Sequence, residues 1–363
     1  MIAEKKTFRM SGFRTSGGHT IPEVRVGWES YGTLAPDRRN VVLVTHYFSG
    51  TSHAAGRYTP TDELPGYWDA IIGPGKAIDT DRFFVISSDT LVNLNVGSPQ
   101  VVTTGPATAD PKTGRPYGMR FPVVTIRDFV AVQKALLDSL GITRLRAVAG
   151  PSMGALQAYE WALAYPEMVE RIVPVIGAAG GHPSLIAWLD AWATPIRLDP
   201  DWNGGDYHGG SPPLAGLAAS LKLVSLHANG WDWARATFGR SPAEAGADPA
   251  DRFENRFGIE AALAADGIAR AATADANHLL CLVKANQLAA ADPSRIRVPT
   301  LLVASPTDLV FPLDWMDRTA EAIAANGTLV ERAEVTGRNG HLNGIAHIAE
   351  AGPAIAAFLD REL

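Results

Sequence analysis

The feature that most constrains the fold is an apolar run that leads into a glycine-flanked serine and then into a helical pattern. Residues 145–149 are largely apolar and suit a buried strand, and residues 150–154 read Gly-Pro-Ser-Met-Gly. Apolar residues then recur at helical spacing over residues 156–163. A strand, a G-x-S-x-G turn and a helix in this order predict that Ser152 lies on a sharp turn with its hydroxyl exposed at a sheet edge.

Composition excludes several classes of protein. The 363 residues are 46% hydrophobic and 19% charged, which is typical of a globular protein with one large domain or two smaller ones. A net charge of −6 without Lys/Arg runs argues against nucleic-acid and membrane partners. The N-terminus lacks the apolar core of a signal peptide and no apolar run could span a membrane, so we expect a cytoplasmic protein. A lone Cys281 excludes an internal disulfide.

Short apolar runs on both sides of the serine turn suit the buried strands of a parallel sheet. They cover residues 24–31, 41–45, 83–87, 172–176, 300–304 and 328–335. A helix capped by Thr125 precedes the serine strand, another covers 313–325, and a last helix runs up to Leu359. The pattern predicts an α/β protein, the α/β-hydrolase fold, with a mostly parallel sheet and helices on both faces.

Strand patterns vanish between residues 179 and 292. Helical patterns occupy this segment at 184–194, 214–227, 231–238, 259–265 and 275–288, and the strand–helix alternation then resumes. We therefore predict an α/β core formed by 1–178 and 293–363, with 179–292 inserted as a helical cap. An ordinary second domain would follow the first rather than interrupt it.

The serine turn needs a base and an acid to become reactive. A serine hydroxyl is a poor nucleophile until a histidine accepts its proton, and a carboxylate orients that histidine. In α/β hydrolases the chain order is Ser, Asp/Glu, His, which Ser152, Asp308 and His341 obey. Asp308 and His341 also come just after predicted strands, at the sheet edge where sites form. These three residues are the predicted catalytic triad.

Other residues compete for the same roles. Asp314 or Asp317 could replace Asp308, but both fall in the predicted helix 313–325. His347 could replace His341, but it falls inside the predicted last helix.

The predicted oxyanion hole combines two backbone N–H groups. Met153 N–H lies at the start of the helix after Ser152, and Phe48 N–H lies in the loop after strand 41–45, with Tyr47 N–H as the alternative. His46 and His53 lie in this loop without a third ligand at suitable spacing, so no metal site is predicted.

On motifs spread over most of the chain, the sequence resembles the homoserine O-acetyltransferase family of α/β-hydrolase-fold enzymes. The matching segments include 31–34, 66–69, 73–80, 121–128, 150–154, 238–240 and 275–277. The resemblance implies acyl-CoA as the acyl donor, no bound cofactor, a ping-pong reaction through acyl-Ser152, and a homodimer built through the cap.

Three departures from the family pattern concern the serine turn and the acceptor. Pro151 and Ala155 replace two glycines of the turn. Leu342 follows His341 where the family has an aspartate that helps bind the homoserine amine. The arginine that binds the homoserine carboxylate in the family's cap is absent, and the corresponding residues 226–230 read Leu-His-Ala-Asn-Gly. Burying a zwitterion without charge partners costs several kcal/mol, so the acceptor is expected to differ from homoserine.

Three functions are compatible with the residues. The first is acyl transfer from acyl-CoA to a small hydroxyl or amine acceptor, and the second is serine hydrolysis of a small ester, thioester or amide. The third is a non-catalytic binding module on a hydrolase scaffold, which the intact triad argues against. The triad alone does not separate transfer from hydrolysis, because water and an alcohol use the same catalytic groups.

Overall fold

The computed structural model describes residues 1–362. Its strands are β1 (Lys6–Arg14), β2 (Thr20–Tyr31), β3 (Val41–Val44), β4 (Ile72–Gly73), β5 (Ile78–Asp79), β6 (Phe84–Ser88), β7 (Ala147–Pro151), β8 (Ile172–Val175), β9 (Thr300–Ala304) and β10 (Val330–Glu334). Its α-helices are α1 (Ile126–Ser139), α2 (Met153–Ala164), α3 (Pro183–Leu198), α4 (Leu214–Ala228), α5 (Trp231–Thr237), α6 (Gly258–Ala271), α7 (Ala276–Gln287), α8 (Leu313–Ala324), α9 (Asn343–Ala346) and α10 (Gly352–Asp360).

Eight strands form one sheet in the order β1-β2-β6-β3-β7-β8-β9-β10. The pairs from β6 to β10 are parallel, and β2 pairs antiparallel with both β1 and β6. The predicted α/β-hydrolase fold with a mostly parallel sheet is therefore confirmed. The carboxyl ends of the parallel strands meet at one edge, where loops from different strands come together.

The central strands are buried on both faces, which explains their continuous apolar sequences. On β3, the side chains of Val42 and Val44 join a core cluster that contains Phe358 of α10. Those of Val41 and Leu43 point to the other face, into a cluster built with α1 and α2. The two-residue repeat of a strand thus feeds two separate cores, one on each face of the sheet.

The sequence pattern did not predict strands β1, β4 and β5, of which β1 is the longest. Strand β1 pairs with β2 along its whole length, and β2 itself begins at Thr20 rather than at residue 24. Of the nine residues of β1 only Phe13 is buried, because the strand lies at the edge of the sheet. An edge strand with so little buried surface lacks the apolar run that marks a central strand.

The secondary-structure elements between β8 and β9 are all helical. Strands β8 and β9 are nevertheless neighbours in the sheet. Helices α3, α4, α6 and α7 of this segment pack on one another. The five predicted helical stretches correspond to α3–α7. The largest difference in bounds is at α6, which was predicted to end at residue 265 and extends to Ala271. The division into a core (1–178 and 293–363) and a cap (179–292) stays a prediction.

The chain end differs from the predicted single helix. It consists of a 3-10 turn at Gly340–Leu342, then α9, a second 3-10 turn at Ile348–Ala351, and α10. His347 therefore lies at the break after α9, not inside a helix.

Within residues 1–362 no single helix has the length and hydropathy to cross a membrane. The bent pair Gly340–Ala346 and Ile348–Asp360 passes that test only when its two halves are counted together.

A buried ion cluster ties the loop after β3 to β2. The fully buried carboxylate of Glu29 accepts hydrogen bonds from Ser52, Tyr58, Tyr31 and the His53 ring, and Lys5 Nζ lies 3.1 Å from it. Burial alone would raise the pKa of Glu29, but the His53 hydrogen bond and the Lys5 charge outweigh burial and lower it to about 2.

This lowered pKa predicts an acid-sensitive stability. Because the pKa of Glu29 is about 2 in the folded chain and ordinarily 4.5, its contribution is complete above the ordinary value and is lost as the pH falls through 2. Between about pH 5 and pH 2 the wild type should lose on the order of 3 kcal/mol more unfolding free energy than Glu29→Gln. Urea denaturation across this range measures the difference, and parallel curves for the two proteins would contradict the prediction.

Candidate active site

Ser152 occupies the tight turn between β7 and α2. Its backbone has φ 58° and ψ −117°, a left-handed conformation that is strained for a residue with a Cβ. The flanking glycines allow close approach to Thr45: a Cβ on Gly150 would lie 2.1 Å from Thr45 Oγ1, and a Cβ on Gly154 would lie 2.3 Å from the Thr45 carbonyl oxygen. These two contacts explain the glycines of the G-x-S-x-G pattern.

The structure brings Ser152, His341 and Asp308 into one hydrogen-bonded chain. Ser152 Oγ donates to His341 Nε2 at 2.8 Å, and His341 Nδ1 donates to Asp308 Oδ2 at 2.7 Å. All three residues are buried. This arrangement fixes the imidazole with its Nε2 lone pair toward the serine hydroxyl, which is what a general base requires.

The carboxylate of Asp308 is oriented by its own loop after β9. Its Oδ1 accepts the N–H groups of Val310 and Phe311 at 2.8 and 2.9 Å, which leaves Oδ2 for the imidazole. His341 lies in the 3-10 turn Gly340–Leu342, which begins six residues beyond the end of β10. Both loops lie at the carboxyl edge of the parallel sheet, beside the turn after β7.

The competing residues lie elsewhere. Asp314 and Asp317 are on α8, where they pair with Arg318 and Arg332. His347 faces Glu350 rather than Ser152.

The predicted oxyanion donors belong to two segments beside Ser152. Among residues 1–362, the N–H groups of Met153 and of residues 47–49 have no hydrogen-bond acceptor. Phe48 lines the same cavity as Ser152 and His341, and so does the alternative, Tyr47. Four unpaired N–H groups near a serine are suited to binding negative charge. The assignment to Phe48 and Met153 stays a prediction.

Side chains, three of them from other segments, hold four carbonyl groups of this loop. These contacts could not be predicted from the sequence, because nothing in the neighbouring residues indicates which amide faces a distant loop. Hydrogen bonds run from Gln157 to the His46 carbonyl (3.2 Å), from the His46 ring to the Tyr47 carbonyl (2.7 Å), from Asn95 to the Ser49 carbonyl (3.0 Å) and from Asn93 to the Gly50 carbonyl (2.9 Å). These contacts engage four carbonyl groups of the loop, while among the described residues the N–H groups of residues 47–49 find no acceptor.

Ser152 and His341 open into a cavity of about 420 Å³ whose walls are mainly apolar. Leu342 is among the lining residues, at the position where the resembled family has an aspartate. Arg270 and Asp266 of α6 also line the cavity. This pair was not predicted from the sequence, because α6 reaches the cavity only through its tertiary packing on α4.

His227, in the segment that corresponds to the family's cap arginine, supplies no positive charge. Its ring stacks on Trp188 with centroids 4.2 Å apart, and its Nε2 donates to the Leu309 carbonyl at 3.1 Å. Burial lowers the pKa of His227 and so favours the neutral ring.

The described residues contain no group of three or more His, Cys, Asp or Glu side chains placed to hold a metal ion. His46 and His53 make separate contacts, with the Tyr47 carbonyl and with Glu29. Burial raises the pKa of Cys281 to about 12, which is not the environment of a reactive thiolate.

Comparison with known proteins places this geometry in a family. A family model described as the alpha/beta hydrolase fold matches residues 19–345. The homoserine O-acetyltransferase of Methanococcoides burtonii is 48% identical over 214 residues, which cover 59% of this chain and 43% of that protein. The crystal structure of the Bacillus anthracis homoserine O-acetyltransferase has a TM-score of 0.95 and 35% identity, covering 100% of this chain and 99% of that one. The chain belongs to the homoserine O-acetyltransferase family of α/β hydrolases.

An esterase shares the same scaffold at higher identity than the Bacillus anthracis enzyme. The crystal structure of esterase E22 is 47% identical, with a TM-score of 0.95, and the match covers 99% of this chain and 100% of that one. The homoserine O-acetyltransferase family fold is therefore found in proteins named as acetyltransferase and as esterase. The chain is an enzyme of this acyltransferase and hydrolase superfamily.

Proposed function

We propose that this chain transfers acyl groups through a covalent acyl-Ser152 intermediate, with acyl-CoA as donor and a small hydroxyl or amine acceptor other than homoserine. The observation that carries the proposal is the hydrogen-bonded chain from Ser152 Oγ through His341 to Asp308. Similarity to homoserine O-acetyltransferases supports the choice of donor.

The reaction has two halves. Ser152 Oγ attacks the acyl carbonyl while His341 Nε2 takes its proton, and the N–H groups of Phe48 and Met153 stabilise the oxyanion. The proton on His341 passes to the leaving thiolate as the carbon–sulfur bond breaks, and acyl-Ser152 remains. The acceptor then loses its proton to His341, attacks the acyl carbon, and the serine oxygen recovers the proton. Asp308 stabilises the imidazolium in both halves.

The lining of the cavity supports an acceptor other than homoserine. Beside His341 lie Leu342, Ile345 and Ile176, which offer no partner for an ammonium group. His227 is neutral and engaged with Leu309. The ammonium group of a homoserine bound against these groups would lose its hydration without a compensating contact. Asp266, the one carboxylate among the described lining residues, already lies 3.6 Å from Arg270.

Hydrolysis is the second candidate, favoured by the 47% identity to esterase E22. In that case water replaces the acceptor in the second half, and the same residues act. The apolar walls near Ser152 suit the short ester or acyl group of either reaction.

Free-thiol release from acetyl-CoA separates the two candidates. We expect release that is slow in water and accelerates with one of a panel of alcohols and amines, with homoserine giving no acceleration. Release that no acceptor changes would establish hydrolysis. Inertness toward CoA thioesters together with cleavage of simple esters would remove acyl-CoA from the proposal.

Asn93 provides a test of the oxyanion assignment. Its buried amide donates to the Gly50 carbonyl at 2.9 Å and lies 3.4 Å from His46 Nε2. Asn93→Asp keeps the shape of the side chain but replaces its NH₂ donor with a carboxylate oxygen, which repels the Gly50 carbonyl. The loop should therefore shift. We expect kcat about 10- to 100-fold lower with little change in KM, measured with a short-chain ester.

The control for Asn93→Asp is Asn203→Asp, which alters an exposed amide that contacts only the Asp206 carbonyl. A boronic acid that mimics the tetrahedral intermediate should also bind Asn93→Asp more weakly, while a ground-state ketone should not. Unchanged kcat and boronate affinity in a folded Asn93→Asp protein would refute the role of this loop.

We also propose that residues 179–292 act as a cap and that two chains associate through it. Exposed apolar side chains on α3, α4 and α5 support the association: Trp188, Leu226 and Trp231 are 45%, 46% and 81% exposed. Light scattering should give the mass of a dimer, and a monomer at micromolar concentration would contradict the proposal.

A further inference from the structure

The cavity at Ser152 contains one pair of oppositely charged side chains. In the part of the chain that the structure describes, Arg270 and Asp266 are the only Lys, Arg, Asp or Glu residues among its lining residues. Both belong to α6, and neither takes part in the reaction steps proposed above. Away from Ser152 and the N–H groups beside it, this pair is where the cavity offers charge to a charged group of a substrate.

Arg270 is held from one side and free on the other. Its Nη1 donates to Ser225 Oγ at 2.6 Å and to the Leu221 carbonyl at 3.5 Å, and it lies 3.6 Å from Asp266 Oδ2. Among residues 1–362, no acceptor lies within hydrogen-bond distance of its Nη2 or Nε. The side chain is 27% exposed. The contacts on Nη1 fix the guanidinium, and its other edge keeps donors for a ligand.

Ser225 and Leu221 belong to α4, just before residues 226–230. The homoserine O-acetyltransferase family carries its cap arginine in that segment, whereas this chain has no arginine there. Arg270 therefore brings a guanidinium from α6 to the neighbouring turn of α4. The loss of an arginine from one helix does not leave the cavity without a cation.

The Tyr47 hydroxyl is a second free group in the same cavity. None of the residues described by the structure hydrogen-bonds to it, although the ring packs edge-on against Tyr67 with centroids 5.3 Å apart. Tyr47 and Arg270 line the same cavity. Burial raises the pKa of Tyr47, and the positive charge of Arg270 opposes the rise. A neutral phenol and a guanidinium both donate, so together they complement an oxygen anion.

We propose that Arg270 and Tyr47 form a subsite for a carboxylate carried by the small ester or thioester on which Ser152 acts. The inference rests on the proposed acyl transfer through Ser152 and adds its substrate class. Asp266 contacts only the Nη1 side of the guanidinium, so a ligand on the free edge avoids direct contact with it. The Asp266 charge still opposes the ligand at longer range and weakens the preference for an anion.

Matched substrate pairs test the subsite. In the first pair the two groups lie on the acyl side. One substrate is a monoester of a dicarboxylic acid, and the other is the same ester with a carboxamide in place of the free carboxylate. The other pair carries the same groups on the alcohol side, as in acetyl esters of a hydroxy acid and of its amide. The readout is the ratio of kcat/KM for the carboxylate over the carboxamide, and the pair with the higher ratio tells which side of the substrate Arg270 binds.

The variants have opposite expected signs. Arg270→Gln should lower the ratio about tenfold, the value of one partly exposed charge-assisted hydrogen bond. Arg270→Lys should keep more of the ratio than Arg270→Gln, and Asp266→Asn should raise it. Arg197→Gln is the control. Arg197 lies on α3, where it pairs with Asp190, and it does not line the cavity.

Equal ratios in the wild type and a folded Arg270→Gln protein, for both pairs, would overturn the subsite. If Arg270→Gln fails to fold, an Asp266→Asn ratio equal to or below that of the wild type would overturn it. Failure of the proposed function is a separate result: Ser152→Ala would then cleave the carboxamide esters as fast as the wild type.

Discussion

Replacing Ser152 with alanine should lower turnover of esters and CoA thioesters on the order of 10⁴-fold or more, because no other nucleophile is hydrogen-bonded to His341. The fold should persist. Alanine keeps the Cβ, so the strain of the left-handed φ at residue 152 is unchanged, and the variant loses only the hydrogen bond to His341. Initial rates, with circular dichroism for folding, measure the two effects.

Ser184→Ala is the control for this experiment, since it removes an exposed hydroxyl at the start of α3. It should retain the wild-type rate. A folded Ser152→Ala protein that turns over more than a few per cent as fast as the wild type would mean that another group attacks the substrate.

Asp308→Asn should lower kcat by about 10³- to 10⁴-fold with the fold intact. Asparagine can still accept the N–H groups of Val310 and Phe311 through its oxygen, as Oδ1 of Asp308 does. Its NH₂ group then faces His341 Nδ1 and donates to it. The imidazole must accept at Nδ1 and carry its proton on Nε2, where it cannot take the proton of Ser152.

The control for Asp308→Asn is Asp314→Asn on α8, which the sequence offered as an alternative carboxylate. Asp314 is exposed and pairs with Arg318, so its variant should keep wild-type kinetics. A loss of activity in Asp314→Asn but not in Asp308→Asn would reverse the assignment.

The sequence carried enough information for the central strands and for the residues around Ser152. Strands β3 and β7–β9 are buried on both faces, so they are continuous apolar runs that differ from everything around them. The turn at Ser152 demands glycine at positions 150 and 154 because Thr45 approaches so closely. Both signals are contained in short stretches of sequence, so they can be recognised without coordinates.

Features set by tertiary contacts could not be predicted. Strand β1 forms because β2 is there to pair with it, and its own sequence buries little. The amides of Asn93 and Asn95 reach a loop more than 40 residues earlier in the chain, and their neighbours in sequence do not indicate it. Arg270 reaches the cavity only because α6 packs on α4. At the chain end, apolar residues at helical spacing concealed the break at His347.

The most direct test of the account is to trap the acyl-enzyme. The protein is mixed with acetyl-CoA or an acetyl ester, quenched in acid within one turnover, and analysed by intact-mass and peptide mass spectrometry. We predict the added mass of one acetyl group on the peptide that contains Ser152, with its formation slowed on the order of 10³-fold or more in Asp308→Asn. An acetyl group on any other residue, or none while product forms, would contradict the claim that Ser152 is the nucleophile.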